Sequence, residues 1–254
     1  MNKLTVLLPT FNEEDKIADC LESVKWADEI LVVDSFSIDR TLEIARTYGA
    51  KIIQHEYINS AKQKNWAIPQ CGNEWILQID SDERVDSELS EEIQQLLENV
   101  SPDVDAFSGP TKNHVLGKCI RTMDLYPGDR IRLFRRDKSR FEDKEVDARI
   151  VVPGRVLTLK NHVLHFGFEH LSQKLKPFDR YTRYESDERD KKKQKFSWWN
   201  ITIRPVGIFL YYFFYKRGFL DGVRGLIVSA YKSDFIFWTY AKLWEKEVKS
   251  GKRK

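Results

Sequence analysis

Residues 4–35 read LTVLLPTFNEEDKIADCLESVKWADEILVVDS, and this stretch decides the fold. Leu4 to Leu8 is a continuous apolar run bounded by Pro9, the pattern of a strand buried on both faces. Asn12 is placed to N-cap a helix over about residues 13–25, with Asp15 in a capping-box position and Ile17, Leu21 and Val24 as its apolar stripe. Ile30 to Val33 is a second apolar strand and ends in Asp34-Ser35. A strand, a helix and a strand in so short a stretch imply parallel pairing through a right-handed crossover.

The unit repeats. Ser37 is placed to cap a helix over about residues 39–48, which Gly49 stops in a left-handed conformation. Residues 51–54 read as a third strand, 59–68 as a helix and 75–79 as a fourth strand followed by Asp80 to Glu83. Ser87 opens a further helix with Leu89, Ile93, Leu96 and Leu97 on one face. The expected class is therefore α/β: a Rossmann-type, mostly parallel sheet with helices on both faces. Ligands of such sheets bind beyond the carboxyl ends of the strands. Thr10 to Glu13, Asp34-Ser35 and Asp80 to Glu83 all fall at that edge. Residues 104–109, 131–135 and 156–165 read as strands among turn-rich loops, expected to form an added mixed or antiparallel portion covering the site. From Lys174 onward the chain reads as helices, so the expected division is 1–170 for the sheet domain and 171–254 for a helical extension.

Composition narrows the classes. With 42 basic and 39 acidic residues the net charge is +3, too small to argue for a nucleic-acid partner. The first hundred residues lean acidic, whereas the tail beyond Lys174 mixes Lys and Arg with aromatics. The three cysteines, Cys20, Cys71 and Cys119, are odd in number and widely spaced. They fit neither a disulfide framework nor a zinc site, and read as buried or inert thiols in a reducing compartment. The opening MNKLTVLLPTFNEED lacks the build of a signal peptide, since Pro9 and the acids follow the short apolar run at once. The longest apolar run, residues 206–215, is roughly half the ~20 residues a membrane span needs. A cytoplasmic protein, soluble or held peripherally on the inner face of the membrane, is expected.

Asp80 and Asp82 stand two apart after the fourth strand. If strand geometry persists, both carboxylates lie on one side. Nearby carboxylates repel unless a proton or cation joins them. A hard divalent cation, Mg²⁺ or Mn²⁺, is the natural partner and can also neutralise a diphosphate; the competing reading is an acidic turn. Asp34 could accept the N3–H of a uracil ring and Ser35 could meet a ribose, or the pair could cap a turn. Lys62 and Lys64 precede the fourth strand and could supply a cation to a diphosphate, or be exposed helix lysines. No GxGxxG or GxxxxGK[ST] follows any strand, which argues against a dinucleotide dehydrogenase or a P-loop NTPase.

Taken in order, LPTFNEED (8–15), LVVDSFSIDRT (31–41), AKQKNWAI (61–68) and ILQIDSDE (76–83) resemble the family 2 glycosyltransferases, which use the GT-A fold. YPGDRIRLFRR (126–136), VLTLKNHVLHF (156–166) and RPVGIFLYYFFYKRGFLDGVRGL (204–226) look like the bacterial lipopolysaccharide-core β-1,4-glucosyltransferase branch. The resemblance implies an inverting hexosyltransferase that moves a sugar, glucose in this branch, from a UDP-sugar to a glycan or glycolipid acceptor of the cell envelope. It implies that Pro9, Thr10, Asn12 and Glu13 line the nucleotide pocket, that Asp34 holds the base and that Asp39 supports the loop. Lys62 or Lys64 would stand near the diphosphate, Asp80 would contact ribose or metal, and Asp82 would ligate the divalent cation with His165 nearby. Members of this branch often carry Val-His-Glu after the Arg-Leu-Phe-Arg strand, with the acid as candidate base. Here the stretch reads Val146-Asp147-Ala148, so Asp147 is the first choice and Glu145 the next. Two other readings compete. A sugar-nucleotidyltransferase would want a Gly-rich, basic loop where PTFNEED stands. A non-catalytic nucleotide-sugar-binding or membrane-associated assembly protein is kept open by Ala148. Trp198, Trp199, Phe209 and Tyr211 to Tyr215 lie among Arg204, Lys216 and Arg217. They point either to peripheral contact with an anionic membrane or to a helical core.

Overall fold

A computed structural model of the chain describes residues 2–125, 128–144 and 148–251. It divides into two compact units, residues 1–112 with 127–166, and residues 113–126 with 167–254.

The strands of the first unit include β1 (Leu4–Thr10), β2 (Glu29–Asp34), β3 (Lys51–Gln54), β4 (Trp75–Gln78), β6 (Val104–Gly109), β9 (Arg130–Arg135), β10 (Arg140–Phe141), β11 (Ile150–Val151) and β12 (Arg155–Thr158). β10 and β11 pair with each other, and the other seven form one sheet in the order β12-β6-β9-β4-β1-β2-β3. β3, β2, β1 and β4 are mutually parallel. β9 lies antiparallel between β4 and β6, and β12 pairs parallel with β6. The expectation of a separate covering portion therefore fails for these three strands, which widen the main sheet. A strand slotted between two others needs both faces and both edges satisfied. Leu133 and Phe134 of β9 are fully buried accordingly. The smaller pairing expected over the site is instead β5 (Glu83–Val85) with β13 (Val163–Phe168), joined by Val163↔Val85, Leu164↔Arg84 and His165↔Glu83.

β1 extends two residues beyond the apolar run. The Leu7 carbonyl accepts from Ile79 N, so alternate residues of β1 face β4, and Pro9 comes where that ladder has ended at Leu7↔Gln78. Its missing N–H therefore falls past the last paired residues of that ladder. Leu4, Val6 and Leu8 pack on one face with α1 (Ile17–Val24) and α4 (Ser87–Glu98). Leu7, Leu31 and Val33 pack on the other with α3 (Ser60–Ala67). Helices thus cover both faces, as the alternation implied.

Two helix starts differ from expectation. α1 begins at Ile17, and Asn12 sits before it at φ 53°, a left-handed conformation that asparagine tolerates. Its side chain caps no helix of its own but accepts from Ile38 N at 2.9 Å. α2 (Thr41–Thr47) has Arg40 at its N-cap position and no side-chain cap, while Asp39 just before it accepts from Thr41 N at 3.0 Å. Ser37 is drawn instead to Asp34. Gly49 does stop α2, at φ 69°.

The second unit takes in the end of β7 (Thr111–Val115), which pairs with β8 (Lys118–Cys119), and the helices α5 (Leu171–Leu175), α6 (Phe178–Lys191), α7 (Trp198–Ile201), α8 (Ile203–Leu210) and α9 (Val223–Lys249). Val115, Ile120, Met123 and Val228 form its small core, with Tyr212 and Phe168 against it. Among the described residues no helix is long and apolar enough to cross a membrane. Cys20 and Cys71 are buried and Cys119 half-buried, all three as free thiols. Burial pushes the Cys71 thiol up to about 12, helped by Glu29, and raises Cys20 further; neither is a nucleophile at neutral pH.

Candidate active site at the carboxyl edge of the sheet

Two loops at the ends of β1 and β2 are laced together. Asn12 N donates to Ser37 Oγ at 2.8 Å, Glu13 N to Thr41 Oγ1 at 2.8 Å and Glu14 N to Asp39 Oδ2 at 3.2 Å. In return Ile38 N donates to Asn12 Oδ1 and Arg40 N to Glu14 Oε2 at 3.0 Å. Bonds running both ways fix one loop against the other, so the polar residues singled out at the two strand ends form one surface. Hydrogen bonds from Thr41 and the Glu14 amide outweigh the cost of burial at Asp39 and hold its carboxyl below the usual aspartate range.

Asp34 is fully buried at the base of this surface. Its carboxylate accepts from the Ser37 hydroxyl, from Ser37 N at 3.0 Å and from Gln54 Nε2 at 2.9 Å. A carboxylate offers about four acceptor positions, so this network leaves roughly one for a ligand. Ser35 is buried beside it and accepts from Gln63 Nε2 at 2.6 Å. The Thr10 hydroxyl is buried without a hydrogen-bond partner, as befits a group that a ligand would satisfy. Exposed rings flank these polar groups in the chain: Phe11 follows Thr10, and Phe36, at φ 62°, follows Ser35. A left-handed bulky residue is strained, and strain of this kind collects at functional sites.

Asp80 and Asp82 do not continue the strand. β4 ends at Gln78, and Glu83 N donates to Asp80 O at 2.9 Å, closing a turn. The period-of-two argument for the two carboxylates therefore does not hold; the turn gives each its own partner. Asp80 Oδ1 accepts from Lys64 Nζ at 3.1 Å and from Gln78 Nε2 at 3.0 Å. Asp82 Oδ2 lies 3.4 Å from His165 Nε2. Burial raises the Asp80 pKa and Asp82 adds to it, but the Lys64 ammonium, with Arg132, outweighs both and leaves the carboxyl below the ordinary aspartate value. Glu13 shifts the other way: burial raises it, more than Lys16 lowers it, and Asp82 and Asp39 add repulsion.

Beneath the turn lies a fully buried ion pair. Arg132 on β9 donates from Nη1 to Glu83 Oε2 at 2.8 Å and from Nη2 to Glu83 Oε1 at 2.6 Å, and Nη2 also reaches Thr111 Oγ1 at 3.3 Å. Glu83 Oε2 accepts the Asp80 amide at 2.9 Å as well. Arg84 fastens the far side, donating to the carbonyls of Ser81 at 2.8 Å and Lys16 at 2.9 Å.

Two carboxylates and an imidazole are the donor types a hard divalent cation accepts, and in that respect Asp80, Asp82 and His165 fit one. Among the described residues, however, no three His, Cys, Asp or Glu side chains converge as a ready-made metal site. Of the two candidate lysines, Lys64 is buried at the site and Lys62 is exposed on the outer side of α3. The candidate bases Asp147 and Glu145 lie outside the described residues.

A family model described as "Glycosyl transferase family 2" matches residues 5–153. The chain belongs to glycosyl transferase family 2. It is a glycosyltransferase, and the matched span takes in every loop of the site described above. An uncharacterized glycosyltransferase of Rickettsia typhi is 29% identical to this transferase, over 98% of this chain and 89% of the relative. A protein of Rhizobium meliloti named lipopolysaccharide core biosynthesis glycosyltransferase LpsC is 25% identical, over 96% of this chain and 93% of its own. Among solved structures, Staphylococcus aureus TarS 1-349 in complex with UDP-GlcNAc aligns over 72% of this chain and 64% of its own, with TM-score 0.48 and 21% identity.

Sequence reasoning missed several members of the transferase's site: Ser37, Gln54, Gln63, Gln78, Arg84 and Arg132. The signal was present for two of them. Helix α3, SAKQKNWA, has no apolar stripe, yet it buries Gln63 and Lys64; a helix of that composition beside a sheet must bury polar groups for a reason other than packing. Arg132 sits between Ile131 and Leu133 in a strand with neighbours on both sides, where a charge demands a partner.

Proposed function

We propose that the chain is an inverting glycosyltransferase that moves a sugar, glucose in the first instance, from a UDP-sugar to a cell-envelope glycan of the lipopolysaccharide-core type. The observation that carries this is the Asp80–Glu83 turn, tied to the buried Glu83–Arg132 pair and set at the same sheet edge as the Asp34 pocket. The uracil N3–H takes the remaining acceptor position of Asp34, and Phe11 and Phe36 offer faces to the base. Ribose lies toward Ser35 and Asp80, with Thr10, Pro9, Asn12, Glu13 and the Asp39-braced loop lining the pocket. Lys64 turns from Asp80 to the diphosphate, a stronger anion. The name and near full-length match of the Rhizobium relative support the acceptor class.

Asp82, with Asp80 and His165 at hand, would hold a Mg²⁺ or Mn²⁺ ion. Such ions take one or two carboxylates and draw their remaining oxygens from substrate phosphates, which suits a site lacking a three-ligand cluster. Held there, such an ion would offset the charge of the departing diphosphate. The chain's own part is to fix the donor, exclude water and receive a proton. A carboxylate from residues 145–147, Asp147 before Glu145, takes the acceptor hydroxyl's proton. The acceptor oxygen bonds to the anomeric carbon from the face opposite the diphosphate. The carbon–oxygen bond to phosphate breaks, the configuration inverts and UDP leaves.

The test is UDP release from UDP-glucose in the presence of Mn²⁺. Asp82→Ala is expected to keep its fold and lose at least about 100-fold in turnover, the worth of a few kcal/mol at the transition state. Turnover close to that of the parent chain would refute the role of Asp82. The reading includes peripheral contact with an anionic membrane on the cytoplasmic side, where a lipid-borne acceptor is presented.

A further inference from the structure

From Lys191 to Leu220 the chain contains seven basic residues and no acidic one. Three of the seven are engaged within the second unit. Arg204 Nη1 donates to the Tyr240 hydroxyl at 2.7 Å, Lys216 pairs with Asp124 at 2.8 Å, and Lys191 pairs with Glu188 at 3.2 Å. Lys192, Lys193 and Lys195 are exposed at the end of α6. Immediately after them Phe196 is buried, its ring 5.7 Å from that of Trp198 and 6.2 Å from that of Trp244. This anchor holds the lysine turn beside Trp198 and Trp199, which are 73% and 65% exposed.

The apolar exposure continues along α8. Ile203, Val206 and Leu210 recur at the spacing of one helix face, Phe214 follows in the π-helical turn Tyr211–Tyr215, and all four are exposed. Pro205 is buried and Tyr212 packs into the core of the unit. The helix therefore has a satisfied inner side and an apolar outer row. Exposed apolar surface of this extent on a folded unit marks a contact site.

We propose that residues 192–214 form a docking surface for an anionic phospholipid bilayer. Lys192, Lys193 and Lys195 meet the headgroup phosphates, Trp198 and Trp199 settle at the headgroup level, and the outer row of α8 enters the acyl boundary. Charge decides between bilayer and second copy. A twofold dimer through this surface would set an acid-free lysine run against its own image, whereas an anionic leaflet neutralises it. This docking rests on the membrane contact included in the proposed function; because none of these residues belongs to the site described above, vesicle partitioning tests the surface separately from UDP release.

The experiment is co-sedimentation of the full chain with vesicles of phosphatidylcholine containing about one-third phosphatidylglycerol, against vesicles of phosphatidylcholine alone. The intact chain is expected to partition onto the anionic vesicles and to be released by salt. The triple variant Lys192→Glu, Lys193→Glu, Lys195→Glu is expected to partition on the order of 100-fold or more weakly. Val206→Asp with Leu210→Asp, at positions already in solvent, is expected to lose partitioning while keeping the parent's circular dichroism and UDP binding. Equal partitioning of parent and triple variant overturns the proposal. So does recovery of the parent as a dimer that the triple variant splits.

Discussion

Lys64 and Asp80 hold each other at the end of β4. The 3.1 Å contact occupies one oxygen of Asp80 and the only cation at this side of the turn that α3 buries. The carboxyl's folded pKa lies below its ordinary value of 3.8. A group of that sign adds stability that is present above the unfolded pKa and lost as pH falls through the folded one. Asp80→Asn lacks the contribution at every pH. The gap in urea midpoint between parent and variant should therefore be constant from pH 7 to 5 and narrow below pH 3.8. A gap that widened on acidification would mean that Asp80 is held in its protonated form. The identity of the lysine was not legible from the sequence, because Lys62 and Lys64 differ only by their phase on a helix without an apolar stripe. Asn12 misled for a related reason: an asparagine before a helix caps it only if its backbone is extended, and here it is left-handed to serve the neighbouring loop.

At the scale of elements, the Asp80–Glu83 turn draws its shape from β9, which lies far along the chain. Removing one partner of a buried pair leaves a desolvated charge and costs about 3–5 kcal/mol. Arg132→Met is expected to lose that much in urea unfolding, and Glu83→Gln combined with Arg132→Met to recover a good part of it. A double variant as unstable as the sum of two singles would show that the two side chains do not act as a pair. The strands and helices of the first hundred residues were legible because burial on both faces writes continuous apolar runs and helices such as α1 and α4 write a stripe. The strands at 104–109 and 131–135 were legible too. Their place in the main sheet was not, since pairing partners distant in sequence leave no local mark. The run 156–165 proved to be two strands, β12 and β13, separated at residues 159–162.

For the whole molecule, the site is assembled from loops that follow β1, β2 and β4 and from the helix before β4, so a donor would touch much of the first unit. A ligand that binds only the folded chain stabilises it by about 2.7 kcal/mol at a hundredfold excess over Kd. The thermal midpoint is expected to rise with UDP and Mn²⁺ together, and to return toward that of the unliganded chain when a chelator removes the metal. An equal rise with UDP in the presence of chelator would place the cation outside donor binding. That the fold class was legible and the directions of the Asp80 and Asp82 carboxylates were not has one cause: apolar periodicity reports burial, and the direction of a carboxylate after the strand ends is settled by tertiary partners.

The reversed strand β9 also has a bearing on how the molecule comes into being on the ribosome. Until residues 130–135 emerge, β4 presents a bare edge and β6 has no neighbour to lie against. Glu83 meanwhile waits for a guanidinium that has yet to be synthesised. The nascent chain can lay down its first four parallel strands early, but the turn that would grip the donor cannot harden before the later strand slides into place. A chain stalled short of Arg132 therefore carries the Asp80–Glu83 stretch without the guanidinium that shapes its turn.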